Sequence, residues 1–177
     1  MAKQTAPKLK YEVVINEFLK AREWNDELNI DTEDSSVTLV TGVDFEGGSC
    51  KLIIEAYDKS DLVDLFIYYT FNCKNTKFDQ MAILFNEIHL RWRIGTFEFL
   101  PDGRLRWHHR VDFEGSQPTG TSIERMVSPG LGAVEQFNDV ISAVALTKQS
   151  AKEAVEEYDA AKAALEQKED AEGPSEL

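Results

Sequence analysis

Apolar residues recur at helical spacing near both ends and in the middle of the chain, with alternating runs in between. Tyr11, Val14, Ile15, Phe18 and Leu19 form one stripe on a helix predicted from about Leu9 to Trp24. Asn25 to Ser36 is acidic and turn-rich and reads as a loop. Three strand-like runs follow, Val37 to Asp44, Ser49 to Tyr57 and Leu62 to Phe71. In the last of these Val63, Leu65, Ile67, Tyr69 and Phe71 share a face. The turns between the runs, Glu46-Gly47-Gly48 and Asp58 to Asp61, are short enough to imply an antiparallel meander. Phe78, Met81, Phe85, Ile88 and Trp92 then return to helical spacing and predict a second helix.

Two more strands are predicted, Ile94 to Leu100 and Arg104 to Phe113, joined by Pro101-Asp102-Gly103. A three-residue loop sets Leu100 opposite Arg104. Phe99 then faces Leu105 and Phe97 faces Trp107 on one side, with Glu98 against Arg106 and Thr96 against His108 on the other. A slip of one residue would expose the whole apolar set, so this register is the expected one. After a loop at Glu114 to Gly120, Thr121 and Glu124 suggest a capping box for a third helix. Ser128-Pro129-Gly130 is expected to interrupt that helix and restart it. Leu131, Val134, Phe137, Ile141 and Val144 continue the stripe, and Ala151, Val155, Tyr158 and Leu165 extend it more weakly. Spacings alternating by 3 and 4 are seam-like, so Val134, Phe137 and Ile141 are candidates for contact with a partner helix. The first half of this last helix is expected to pack on the sheet and the second half to project.

The expected fold class is therefore α+β, in the order α-β-β-β-α-β-β-α. An antiparallel sheet, made of a three-strand meander plus a C-terminal hairpin, carries helices on one face. The chain has 177 residues, enough for one domain and an extension. Residues 1–147 read as that domain. Residues 148–177 read as an acidic Ala/Glu/Lys-rich extension, helical at first and disordered over Lys168 to Leu177. The 42% hydrophobic content supports a real core, and a net charge of −13 disfavours nucleic acid and anionic lipid as partners. No apolar run follows Lys3, Lys8 and Lys10, and no window suits a membrane span, so a cytoplasmic protein is expected. Cys50 and Cys73 lack metal or redox spacing and read as reduced, buried thiols.

Chemistry-bearing motifs are missing: no GxSxG, no GxxxxGK[ST], no HExxH and no EF-hand loop. The three histidines do not assemble a site. His108 and His109 point to opposite faces of one strand, His108 to the surface and His109 to the core as a hydrogen-bonded residue. His89 reads as structural. No cofactor, metal or catalytic residue is expected. One local feature departs from the acidic average. Arg91, Arg93, Arg104, Arg106 and Arg110 lie within 20 residues, and Arg104, Arg106, His108 and Arg110 share a strand face. Cross-strand pairing, with Glu98 opposite Arg106, is the plainer reading, and an anion or small-molecule sensor site on Arg104, Arg106 and Arg110 is the alternative.

The element order, together with Phe85-Asn86-Glu87-Ile88, Gly95-Thr96-Phe97-Glu98, Pro101-Asp102-Gly103 and Arg104-Leu105-Arg106, resembles the YbjN family and the wider type III secretion chaperone-like fold. The resemblance spans about Leu9 to Leu146. It implies a non-enzymatic regulator or chaperone-like adaptor that works as a cytosolic homodimer and binds a polypeptide partner or client. It transfers no residue role. Binding is expected through Arg104, Arg106, Arg110 or through Val134, Phe137 and Ile141.

Overall fold

The computed structural model describes residues 8–172, with side chains through residue 168. Its elements are α1 (Lys10–Ala21), β1 (Leu28–Asp31), β2 (Ser36–Phe45), β3 (Gly48–Tyr57), β4 (Leu62–Asn72), α2 (Phe78–Arg91), β5 (Thr96–Phe99), β6 (Arg104–Asp112), α3 (Gly120–Leu146) and α4 (Ala151–Glu172). The strands form one antiparallel six-stranded sheet in the order β1-β2-β3-β4-β6-β5. The chain walks outward through the meander, crosses over by α2, and returns so that β6 pairs with β4 and β5 forms the far edge. The α+β class and the antiparallel sheet are as the sequence implies.

The core lies on one face of the sheet. Leu39, Leu52, Ile54, Leu65, Ile67 and Trp107 alternate inward from four strands and are fully buried. Tyr11 and Phe18 of α1, and Phe137 and Ile141 of α3, cover them. Two glycines set how closely α3 can approach. A side chain at Gly120 would lie 2.7 Å from the Phe18 amide nitrogen, and one at Gly130 would lie 2.6 Å from the Trp107 ring. The helix therefore runs directly over the indole.

Five expectations change. Asn25 to Ser36 contains the edge strand β1, paired with β2 from Leu28↔Leu39 to Asp31↔Ser36. Its turn is closed by Asp31, whose Oδ1 accepts the Glu33 and Asp34 N–H groups at 2.9 and 3.1 Å. Ser128-Pro129-Gly130 does not interrupt α3, which is continuous across Pro129. Its N-terminus is closed by Thr119 and Ser122 rather than Thr121 and Glu124; the Thr119 N–H donates to Ser122 Oγ at 3.1 Å. Glu124 instead takes a two-pronged contact from Arg22 at 2.7 and 2.8 Å.

The long terminal helix is two helices, broken at Thr147 to Ser150. Ser150 and Glu153 cap each other reciprocally at the start of α4, with the Ser150 N–H donating to Glu153 Oε2 at 2.9 Å. The first turns of α4 fold back. Ala151 and Ala154 are buried, and the Tyr158 ring lies 5.4 Å from that of Phe137. The helix continues to Glu172, so part of the segment expected to be disordered is helical; residues 173–177 lie outside the described residues.

Candidate functional site

The arginine face lies on the side of the sheet that carries no helix. The hairpin register is the expected one: Phe99↔Leu105, Glu98↔Arg106, Phe97↔Trp107 and Thr96↔His108. Across the sheet β4 supplies Asp64 opposite Arg110, Phe66 opposite His108 and Tyr68 opposite Arg106. Arg106 meets Glu98 at 2.6 Å and lies over the Phe66 ring at 4.5 Å. Arg104 pairs with Asp102 at 2.8 Å in its own turn. Arg110 grips Asp64 with two donors, each at 2.8 Å. His108 stacks on Phe66 at 4.6 Å, with Asp64 at 2.9 Å on one ring nitrogen and Glu98 at 3.3 Å on the other. It is therefore packed between strands and not a free surface residue, because two neighbouring strands each turn a carboxylate toward it.

Asp64 is the hub of this face and is only 2% exposed. Burial by itself would raise its pKa. The hydrogen bonds and charges of Arg110 and His108 outweigh that and hold the carboxyl below the usual range. Each of Arg104, Arg106 and Arg110 thus already faces a carboxylate. The ribbon is compensated and does not present unpaired cations to an anion.

Val134, Phe137 and Ile141 are fully buried. Their seam-like spacing arises because α3 packs simultaneously on the sheet and, through Phe137, on α2 and α4: Trp92 and Tyr158 flank that ring at 6.2 and 5.4 Å. The seam is consumed inside the molecule. The thiols are equally inert, since burial, aided by the Asp44 charge, pushes Cys50 up to about 11, and burial raises Cys73. His109 is half-buried beside the Trp107 ring at 5.7 Å, and burial followed by the His108 charge lowers its pKa. Among the described residues no cluster of three His, Cys, Asp or Glu side chains is placed to hold a metal ion.

A shallow surface groove lies between α2 and β5. It has a volume of about 550 Å³ and is lined by Ala82, Phe85, Asn86, His89, Phe97, Glu98, Phe99 and Leu100. Helical spacing puts Ala82, Asn86 and His89 on the flank of α2 that faces the strand, while Met81, Leu84 and Ile88 face the core. Beside the groove, two turns apart on α2, Ile83 and Leu90 are 51% and 70% exposed. Ile94 in the following connection is also exposed. The strand wall is an edge. Leu100 donates to the Arg104 carbonyl at 2.8 Å, so alternation directs the Glu98 backbone toward β6 and the Phe97 and Phe99 backbones away from it. The Phe97 N–H donates to His89 Nε2 at 2.8 Å. For that the imidazole must be neutral and protonated on Nδ1, and burial lowers its pKa in support.

Sequence periodicity by itself does not mark this groove. His89 and Phe97 are eight residues apart on different elements, and nothing in local periodicity joins them. The alternation of Phe97 and Phe99 at a short terminal strand was the one available signal.

Residues 13–143 match the family model YbjN, described as "Putative bacterial sensory transduction regulator". The chain belongs to the YbjN family. The match ends within α3, so α4 lies beyond it. No curated protein matches the chain. Among solved structures, a chain of the crystal structure of the ExsC–ExsE complex is 17% identical, with a TM-score of 0.52, over 76% of this chain and 97% of that one. A chain of the HopA1–SchA chaperone–effector complex is 12% identical, with a TM-score of 0.49, over 70% of this chain and 89% of that one. This YbjN-family chain therefore shares its fold with the chain of the ExsC–ExsE complex. Among the described residues no helix is long and apolar enough to cross a membrane.

Proposed function

We propose that this YbjN-family protein is a non-enzymatic, chaperone-like adaptor of the cytoplasm, acting as a homodimer that engages a polypeptide partner. The observation that carries the reading is the α2/β5 groove. It combines an apolar floor of Phe85 and Phe99 with a sheet edge that turns backbone groups outward. Its likeness in fold to a chain from a two-protein complex agrees with this, as does the family description of a regulator. Ile83 and Leu90, one heptad apart on the outward face of α2, supply an apolar seam for the second copy. An anion sensor on Arg104, Arg106 and Arg110 is disfavoured, because each guanidinium is already matched by a carboxylate.

The test is affinity capture from the source cell's lysate with wild type and with Ala82→Arg, a substitution at an exposed helical position that fills the groove. A defined polypeptide should be retained by wild type and lost by the variant at unchanged melting temperature. Retention of metabolites only, or of the same polypeptide by both proteins, overturns the reading.

A further inference from the structure

We propose that β5 accepts one antiparallel strand of a partner polypeptide with apolar side chains at alternate positions, and that His89 is a latch on that edge. The inference rests on the protein-binding reading above and adds the partner's conformation, its side-chain pattern and a control on access.

The edge offers four outward backbone groups, the N–H and C=O of Phe97 and of Phe99. Among the described residues three of them have no partner within the molecule, and the fourth, the Phe97 N–H, is held by His89. Buried or half-buried backbone groups left unpaired cost free energy, which an added strand would recover. An added antiparallel strand would lie about 4.8 Å beyond β5. Its residues opposite Phe97 and Phe99 would point the same way as those two rings, into the groove floored by Ala82, Phe85 and Asn86. The intervening residues would point to the other face, beside Thr96 and Glu98. The expected partner segment therefore alternates apolar with polar residues. These polar positions lie beside the compensated arginine face, so any attraction for basic residues there comes from the whole chain's net charge of −13 and not from a local carboxylate.

His89 decides when the edge is complete. While neutral, its Nε2 occupies the donor that the incoming strand needs. A partner carbonyl must displace it, or a proton must remove its acceptor lone pair. Of the residues lining the groove only Glu98 carries a charge while His89 is neutral, and its two carboxylate oxygens are turned to Arg106 and His108 on the opposite face. Protonation of His89 thus meets no carboxylate in the groove that would hold the ring in place. Acid is expected to release the latch.

The probe is a seven-residue peptide with capped ends, Lys-Val-Lys-Val-Lys-Val-Lys, measured by fluorescence anisotropy against the full chain. Two controls carry backbone N-methyl groups, one on the valines and one on the lysines. In the proposed register the valine N–H groups face β5, so methylating them should abolish binding, and methylating the lysines should leave it within twofold. Wild type should bind several-fold more tightly at pH 5.5 than at pH 7.5. His89→Ala should bind at pH 7.5 at least as tightly as wild type at pH 5.5, with no pH dependence. In the amide spectrum of free wild type, the Phe97 N–H should titrate with the His89 ring.

Equal effects of the two methylated peptides would overturn strand addition. pH-independent binding by wild type, or the same pH dependence in His89→Ala, would overturn the latch. Failure of the probe together with Ala82→Arg-sensitive capture of a polypeptide would remove the strand and latch while leaving the adaptor reading in place. Loss of that sensitivity as well would remove both.

Discussion

Asp64 sits almost fully buried on the sheet face that no helix covers, and it holds that face together through Arg110 and His108. Its folded-state pKa is depressed, so it adds stability above the unfolded carboxylate value of about 3.9, and that stability is lost as pH falls through the lower folded value. Asp64→Asn should lower stability near neutrality by about 1–3 kcal/mol, the range for losing charge-assisted hydrogen bonds. The cost stays at this level because the Arg110 side chain is 59% exposed and can be rehydrated. In thermal melts, the gap between wild type and Asp64→Asn should hold steady down to about pH 4 and close below it. A gap that widens toward acid would mean that the carboxyl is favoured in its protonated form. A neighbouring pair of residues tests packing. Gly130→Ala gains about 1 kcal/mol of helix propensity. It also forces a methyl to 2.6 Å from the buried Trp107 ring, and overpacking of this kind costs roughly 1–3 kcal/mol. The indole is fully buried and hydrogen-bonded to the Ile94 carbonyl at 3.2 Å, so it cannot yield. Gly130→Ala should therefore lower the urea midpoint. Pro129→Ala should raise it by the equivalent of about 1–3 kcal/mol, since the ring removes a helical donor in an otherwise unbroken helix.

Those adjacent residues also explain which elements could be read in advance. The β5–β6 register was legible because Pro101-Asp102-Gly103 fixes the turn locally and one slip would turn Phe97, Phe99, Leu105 and Trp107 to solvent. Gly103, at φ +89°, and the Cys73 carbonyl 2.5 Å from where its side chain would be, make that turn intolerant of any other residue. Ser128-Pro129-Gly130 misleads because the same letters that punctuate a chain also permit close approach, and only the position of Trp107 distinguishes the two. The strand β1 escapes because Leu28 and Ile30 alone carry its alternation in an acidic stretch. Glu98 opposite Arg106 follows from a hairpin, whereas Asp64 opposite Arg110 depends on β4 and β6 meeting across α2, which no local pattern encodes. The fold class was thus written in periodicity. The compensation of Arg110 by Asp64 was written in the crossover. At this scale α4 is attached mainly through its first turns. It is held by Ala151, Ala154, Tyr158 and the Arg91–Asp159 contact at 2.7 Å, whose side chains are 28% and 48% exposed. Arg91→Ala should cost under about 1 kcal/mol globally, as exposed pairs do. It should nevertheless raise amide exchange in the first turns of α4 well above that of α3, because locally anchored segments open before the core does.

For the whole molecule, the proposed contact between copies through Ile83 and Leu90 and a net charge of −13 pull in opposite directions. Two copies repel over the Debye length, about 10 Å in 0.1 M salt and about 3 Å in 1 M. An apolar contact between outward faces of α2 gains little from charge pairing and loses that repulsion as salt rises. The proposed dimer should therefore tighten from 20 mM to 500 mM sodium chloride in sedimentation equilibrium. Leu90→Glu, at a position 70% exposed, should give the mass of one chain at both salt levels with an unchanged far-UV spectrum. A dimer that loosens with salt would place ion pairs at the interface and remove Ile83 and Leu90 from it. The same field predicts the opposite sign for a basic client strand at β5, whose association should weaken with salt. One salt titration thus separates the contact between copies from the contact with a partner.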